Sequence, residues 1–250
     1  MNRAPALLSA LVLAGVTTAN VARAADPLVL QVFTEARSTI VASHRLQNYL
    51  EEAECRADLL FNGEQRGDLI FRPGKTDGDL LLSAVNRDGE HPVPVWVTRK
   101  TAGVGSLSEL QGRDVSLVAG DDPLASALAL EALAAHGVSP EPGQIYEAGD
   151  FSSALGLLLH NNTHAAVSEL GLVRPMLETQ GMVVTWQGEP VPGAGWYAPA
   201  PLPKSTNTRA CLNALARMQR LDDRQIFRIF PEWVSGFTPP ESIDVEENRS

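Results

Sequence analysis

Apolar and polar positions alternate along this chain in two rhythms. Leu28–Phe33 is a short continuous apolar run that reads as a strand. After the polar turn Thr34-Glu35-Ala36-Arg37-Ser38-Thr39, the positions Ile40, Val41, Leu46, Tyr49 and Leu50 recur at helical spacing and predict a helix to about Glu54. The pattern then dissolves into glycine-rich turns at Asn62-Gly63, Arg66-Gly67-Asp68, Pro73-Gly74 and Asp77-Gly78. The brief runs Leu69–Phe71 and Leu80–Ala84 between them fit strands or the start of a helix equally well. Val93–Thr98 reads as extended, with prolines that suit a sheet edge or a crossing point.

The clearest signal lies in residues 106–168, two consecutive strand-turn-helix units. Val115–Ala119 has the length and the small, β-branched character of a buried strand. Gly120-Asp121-Asp122-Pro123 supplies a tight turn, a capping acceptor and a proline at the first helical position. The Ala/Leu-rich run to Ala135 reads as a helix stopped by Gly137. The second unit places Asp150-Phe151-Ser152-Ser153 at the same relative position, and the block ends near Val184. Val191–Ala198 then returns as an extended segment, followed by a helix over Thr206–Leu221.

Two extended crossings around an αβ block imply a chain that leaves one lobe, builds a second and comes back. The fold class is therefore α/β with two lobes, and the first lobe reads as abbreviated. The expected organisation is a leader over 1–24, first lobe 25–97, second lobe 98–190, return to the first lobe 191–240 and a charged, frayed end 241–250. A ligand in such an arrangement lies in the cleft between the lobes. Strands that run into capped helices point unpaired backbone N–H groups into that cleft, where the helix dipole attracts anions.

The first 24 residues carry Arg3, an apolar stretch from Ala4 to Val16 and the small-x-small triplet Ala22-Arg23-Ala24. This predicts export to the periplasm with cleavage near Ala24, since the apolar stretch is too short for a membrane anchor. With 30 acidic against 20 basic residues the formal charge is -10, which disfavours nucleic acid as a partner. Hydrophobic residues make up 44% of the 250, enough for a packed core. Cys55 and Cys211 both fall on predicted helices. In an oxidising compartment they favour a disulfide over two unrelated buried thiols, and they are too few for a zinc or iron–sulfur site.

Three segments carry a resemblance to a known family: Ser106-Leu107-Ser108-Glu109-Leu110-Gln111-Gly112-Arg113 before a strand, Asp121-Asp122-Pro123-Leu124-Ala125 at a helix start, and Pro192-Gly193 in the return strand. The chain resembles the type 2 periplasmic solute-binding proteins, in particular the phosphate, phosphite and phosphonate branch. The resemblance spans roughly Pro94 to Leu215 and, more faintly, Leu28 to Val85. It implies that Asp122, Ala125 and Ser126, with Asp150, Ser152 and Ser153, line the cleft from the second lobe, and that Thr34, Arg37, Ser38 and Thr39 line it from the first. The hydroxyls of those serines and threonines suit oxyanion binding without a full countercharge. The chain departs from the branch where a Ser-Thr-Ser-Gly-like turn is replaced by Asp121-Asp122, whose carboxylates repel phosphate.

Several residues have plainer uses as well. Arg37 and Arg99 suit a bidentate anion clamp, or simple solvation. Trp96, Trp186, Trp196 and Tyr197 suit an aromatic cleft wall, or an inter-lobe core. His160 and His164 straddle a turn and make a poor metal pair. Asp121 and Asp122 suit a cation site, with helix capping the simpler use. No Ser-His-Asp spacing, nucleophile elbow or metal-ligand cluster stands out, so the expectation is a non-enzyme without cofactor or metal. The expected function is binding a small polar solute, oxyanions among the candidates, for delivery to an ABC-type membrane permease, by a monomer. The alternative is a periplasmic sensor or accessory protein signalling to a membrane receptor.

Overall fold

The computed structural model describes residues 26–64 and 66–240. The expected leader and the charged end at 241–250 lie outside the described residues. The chain runs β1 (Leu28–Val32), α1 (Ile40–Glu52), β2 (Ala57–Phe61), β3 (Leu69–Arg72), β4 (Asp79–Val85), β5 (Pro94–Arg99), β6 (Val115–Val118), α2 (Ala127–Ala135), β7 (Ile145–Ala148), α3 (Phe151–Leu159), β8 (Ala165–Glu169), α4 (Leu170–Val173), β9 (Met182–Gln187), β10 (Gly195–Ala198), α5 (Thr206–Arg217) and β11 (Gly236–Thr238).

These strands form two sheets. The first has the order β11-β4-β10-β3-β1-β2 and the second β7-β6-β8-β5-β9. In the first, β1 pairs in parallel with β2 and β3, while β10 and β11 add antiparallel pairs. In the second, β6 lies parallel to β7 and β8, and β5 is antiparallel to β8 and β9. The chain passes from the first sheet to the second between Val85 and Pro94 and comes back between Gln187 and Gly195. It is thus a mixed α/β chain of the two-sheet kind expected.

Leu28, Leu30 and Val32 on β1, Leu69 and Phe71 on β3 and Trp196 on β10 are buried. Phe71 meets Phe230 edge-on at 4.7 Å and Trp196 at 5.8 Å, and Phe230 meets Phe237 at 5.3 Å. Full burial of each such aromatic is worth roughly 2–3 kcal/mol. Beside this cluster, Cys55 and Cys211 form a disulfide across 156 residues of sequence. It joins the end of the α1 connection to α5. Asn207 supports the junction by accepting from the Arg56 N–H at 2.8 Å and donating to the Arg56 carbonyl at 3.0 Å. β10 starts at a glycine because it must: Gly195 has φ +154°, and a Cβ there would lie 2.1 Å from the Leu82 carbonyl oxygen.

The structure corrects several expectations. Leu69–Phe71 and Leu80–Ala84, which fitted strand or helix start equally well, are both strands, so here one of the two readings holds. The buried stripe of α1 is Ala42, Leu46 and Leu50, whereas Ile40 and Val41 are exposed at the helix start. α1 ends at Glu52, not near Glu54, because Glu54 takes a left-handed conformation, so Cys55 sits in the connection after it rather than on the helix. α5 ends at Arg217 rather than Leu221, whose side chain is exposed. Of the two places that suited the prolines before Thr98, the structure shows the crossing point and not the edge: Pro94 ends the passage between the sheets and opens β5, an inner strand. Trp96 and Trp196 are both fully buried within one apolar cluster that runs from the first sheet into the second, the core use rather than a cleft wall. The Trp96 indole donates to the Ala129 carbonyl at 3.0 Å, while Trp196 packs among Phe71, Phe230 and Phe237.

Candidate functional site

Three loops of the first sheet's half meet two turns of the second. The turn after β1 brings Glu35 against Gly120, where a Cβ would lie 2.7 Å from the Glu35 Cγ. The loop after β3 brings Gly74 against Pro123, where a Cβ would lie 2.9 Å from the proline Cγ. The segment between α5 and β11 supplies Glu232 and Trp233, which reach Ser152 and Asp122 respectively. Each turn lies at the C-terminal end of a strand, which is where open α/β sheets expose backbone donors.

Asp122 organises the first turn of the second half. Its Oδ1 accepts from the Leu124 N–H at 3.0 Å and its Oδ2 from the Trp233 indole N–H at 2.7 Å. Burial pushes the carboxyl up to about 6, opposed by those two hydrogen bonds and assisted by the negative charge of Glu169. The Asp122 to Ala125 turn delays the helix, so α2 begins at Ala127 after Ser126 rather than at Pro123. Asp122 therefore caps the turn and not the helix. Asp121 is exposed.

At α3 carboxylates engage the donors of Ser152 and Ser153. The N-cap Asp150 accepts from the Ser153 N–H at 2.7 Å. Glu232, from the other half, accepts from the Ser152 N–H at 2.9 Å with Oε2 and from the Ser152 hydroxyl with Oε1. A backbone N–H, a hydroxyl and the positive end of the helix dipole thus converge on one carboxylate. The Glu232 segment is itself fixed by Arg220. That guanidinium donates to the carbonyls of Val234 at 2.6 Å, Pro231 at 2.9 Å and Phe227 at 3.4 Å. Burial lowers Arg220 to about 10, with the charge of Glu232 working the other way and that of Arg224 reinforcing it.

The crossing between the sheets is held by a buried carboxylate. Glu169, fully buried at the end of β8, accepts from the Asn86 side-chain amide at 3.0 Å, the Val93 N–H at 3.3 Å and the Leu172 N–H at 3.0 Å. Asn86 lies just after β4 and Val93 just before β5, so one side chain ties both ends of the crossing to the second sheet.

The other sequence-predicted residues are placed as follows. Thr34 lies in the turn after β1, where its hydroxyl accepts from the Ala36 N–H at 3.1 Å and its backbone pairs with the Asn62 side chain. Arg37 and Ser38 are exposed on the same loop, and Thr39 precedes α1 without a side-chain cap. Ala125 is buried, and the Ser126 side chain makes no cap bond to α2. Arg99 ends β5 with its Nε buried and unpartnered. Among the described residues no group of three or more His, Cys, Asp or Glu side chains could hold a metal. Glu232, Trp233 and Gly74 were not anticipated. The signal for the first two was the density of aromatics over Phe227, Phe230, Trp233 and Phe237, which marks a packed segment rather than a loose tail. Separately, a cavity of about 390 Å³ is lined by Gln31, Phe33, Arg66, Ile70, Arg72 and Tyr197 among others, all from the first sheet and its loops. There the Arg72 guanidinium stacks 3.3 Å above the Phe33 ring.

Solved structures share this architecture. PhnD1 from Prochlorococcus marinus in complex with methylphosphonate is 14% identical, with a TM-score of 0.58 over 87% of this chain and 94% of that one. A Xanthomonas citri protein bound to ATP is 16% identical, with a TM-score of 0.60 over 87% and 92%. The binding-protein component of an ABC phosphonate transporter from Pseudomonas aeruginosa is 13% identical, with a TM-score of 0.53 over 86% and 82%. At these identities the likeness shows the fold, that of type 2 periplasmic binding proteins. None of the curated proteins matches the chain significantly. Residues 73–244, more than half of the chain, match the family of phosphonate ABC transporter periplasmic substrate-binding proteins, and the protein belongs to that family.

Proposed function

We propose that the protein binds a small oxyanionic solute between its two halves and delivers it to an ABC-type permease. The observation that carries this reading is the Ser152 backbone N–H and hydroxyl donating together to a carboxylate at the start of α3. Donors already aligned on one anionic group suit another, and phosphonate oxygens present the same acceptors with more charge. Family membership supports the transport role. The methylphosphonate held by the Prochlorococcus marinus structure is consistent with the solute class. On this reading the halves act as lobes, 25–97 with 191–240 against 98–190, and enclose the solute between them. The protein works in the periplasm as a non-catalytic monomer, after cleavage near Ala24. Thr34, Ser38 and Thr39 face the solute from the first lobe, with Arg37 reaching in as its countercharge.

The test is calorimetric titration of residues 25–250 with methylphosphonate, phosphite, phosphate and sulfate, repeated on Ser152→Ala. Binding of at least one of these anions, weakened about five- to tenfold by loss of a single hydroxyl donor, is the expected result. Absence of binding to all four, or an unchanged affinity in the variant, refutes the reading.

A further inference from the structure

We propose that Glu232 is an internal competitor for the anion position at α3, locked in place by Trp233, so that the solute-free protein is already closed and a solute enters by displacing a side chain of the protein itself. This rests on the anion-site reading of α3 and adds to it the group that sets its selectivity.

At the α3 start two backbone N–H groups and one hydroxyl are engaged by carboxylates. The Ser152 N–H and hydroxyl go to Glu232 and the Ser153 N–H goes to Asp150. Asp150 belongs to α3's own capping turn and travels with the helix. Glu232 comes from 80 residues away in sequence, on the opposite half, so its bond holds only while the halves are together. The neighbouring residue makes the second cross-connection: Trp233, 1% exposed, donates to Asp122. Two adjacent residues therefore engage the turns that follow two different strands. They are not a loose arm, because Arg220 grips the carbonyls of Phe227, Pro231 and Val234 around them. A carboxylate tethered this way competes with free solute as if present at millimolar concentration. Solutes that cannot match its two acceptors are excluded, and apparent affinity falls by the fraction of molecules in which Glu232 occupies the site.

The experiment compares wild-type 25–250 with Glu232→Ala, Glu232→Gln and Trp233→Phe in two measurements. Small-angle scattering without solute reads closure, and calorimetric titration with methylphosphonate reads occupancy. The expected result is a larger radius of gyration for Glu232→Ala and Trp233→Phe than for wild type, with methylphosphonate binding to Glu232→Ala tighter by roughly tenfold or more. Glu232→Gln, which keeps shape and one acceptor but not the charge, should fall between the two and serves as the folded comparison if the alanine variant is unstable. Unchanged dimensions in Glu232→Ala, or in Glu232→Gln should only that variant fold, overturn the lock. Methylphosphonate affinity no higher than wild type in the same variant overturns the competition. If neither protein binds methylphosphonate, phosphite, phosphate or sulfate yet the alanine variant expands, the lock stands and the oxyanion reading of the site falls.

Discussion

Trp233 donates its indole N–H to Asp122 Oδ2 at 2.7 Å, joining the segment before β11 to the turn after β6. Burial holds the Asp122 carboxyl at about 6, above its ordinary 3.8. The folded protein therefore favours the protonated form more than the unfolded chain does. That contribution to stability is fully present below about pH 4 and is lost as pH rises through about 6. It amounts to about 3 kcal/mol. Urea unfolding from pH 4 to 7 should show it as a falling stability that flattens in Asp122→Asn. Parallel pH profiles for the two proteins would remove Asp122 as the cause.

Gly74 offers a way to hold the halves apart without disturbing either. A Cβ there meets only the Pro123 ring, at 2.9 Å, and the glycine does not use a left-handed conformation. Gly74→Val should keep the circular dichroism spectrum and melt within about 1 kcal/mol of wild type. Its solute-free radius of gyration should nonetheless increase, and its solute affinity fall. A variant with wild-type dimensions would show that Gly74 and Pro123 are not pressed together in solution.

Arg220 acts on the site through the backbone it holds. Arg220→Met keeps much of the side-chain bulk but removes three hydrogen bonds; the Phe227 and Pro231 carbonyls keep the N–H groups of Phe230 and Val234, while the Val234 carbonyl loses its guanidinium donor, a loss of about 1–3 kcal/mol. Beyond the lowered melting temperature, the emission of Trp233 should shift to longer wavelength as its surroundings loosen, a change read by subtracting the same pair of spectra in a Trp233→Phe background. A stability loss with no spectral shift would make Arg220 a support of the fold alone.

Gly195 is a sharper test of the architecture. Any side chain there collides with the Leu82 carbonyl at the entry of β10, between β3 and β4. Gly195→Ala should cost several kcal/mol, enough to lower soluble yield and the melting temperature together. A near-native melt would mean that β10 can shift its register without penalty.

The second half was the more legible in sequence because its signals are local. The Asp150 cap, the Gly137 stop and the apolar run at Val115 each act within a few residues, and the structure contains all three. The solute-binding family and the two-sheet class followed from that block. The first half was harder, because β3 and β4 sit among glycine-rich turns and their identity comes from pairing with β1, β10 and β11, partners up to about 150 residues away. The Asp122 turn misled for a related reason: an aspartate followed by proline favours a helix start locally, but the bond to Trp233 holds its carboxylate in a turn instead. Around Glu232 the aromatics mark a packed segment, but nothing near it in sequence resembles a binding motif, and its role comes from what it meets across the fold.

The Cys55–Cys211 bridge has a topological consequence. It closes the chain into a covalent ring that contains every strand of the second sheet, while both cysteines belong to the half built on the first. A single cut anywhere between the two cysteines therefore leaves the fragments attached, and a nicked protein should migrate as one species until reductant is added. The ring cannot close before residue 211 has been synthesised, so the whole second half is made, and free to fold, while the first is still without its cross-link.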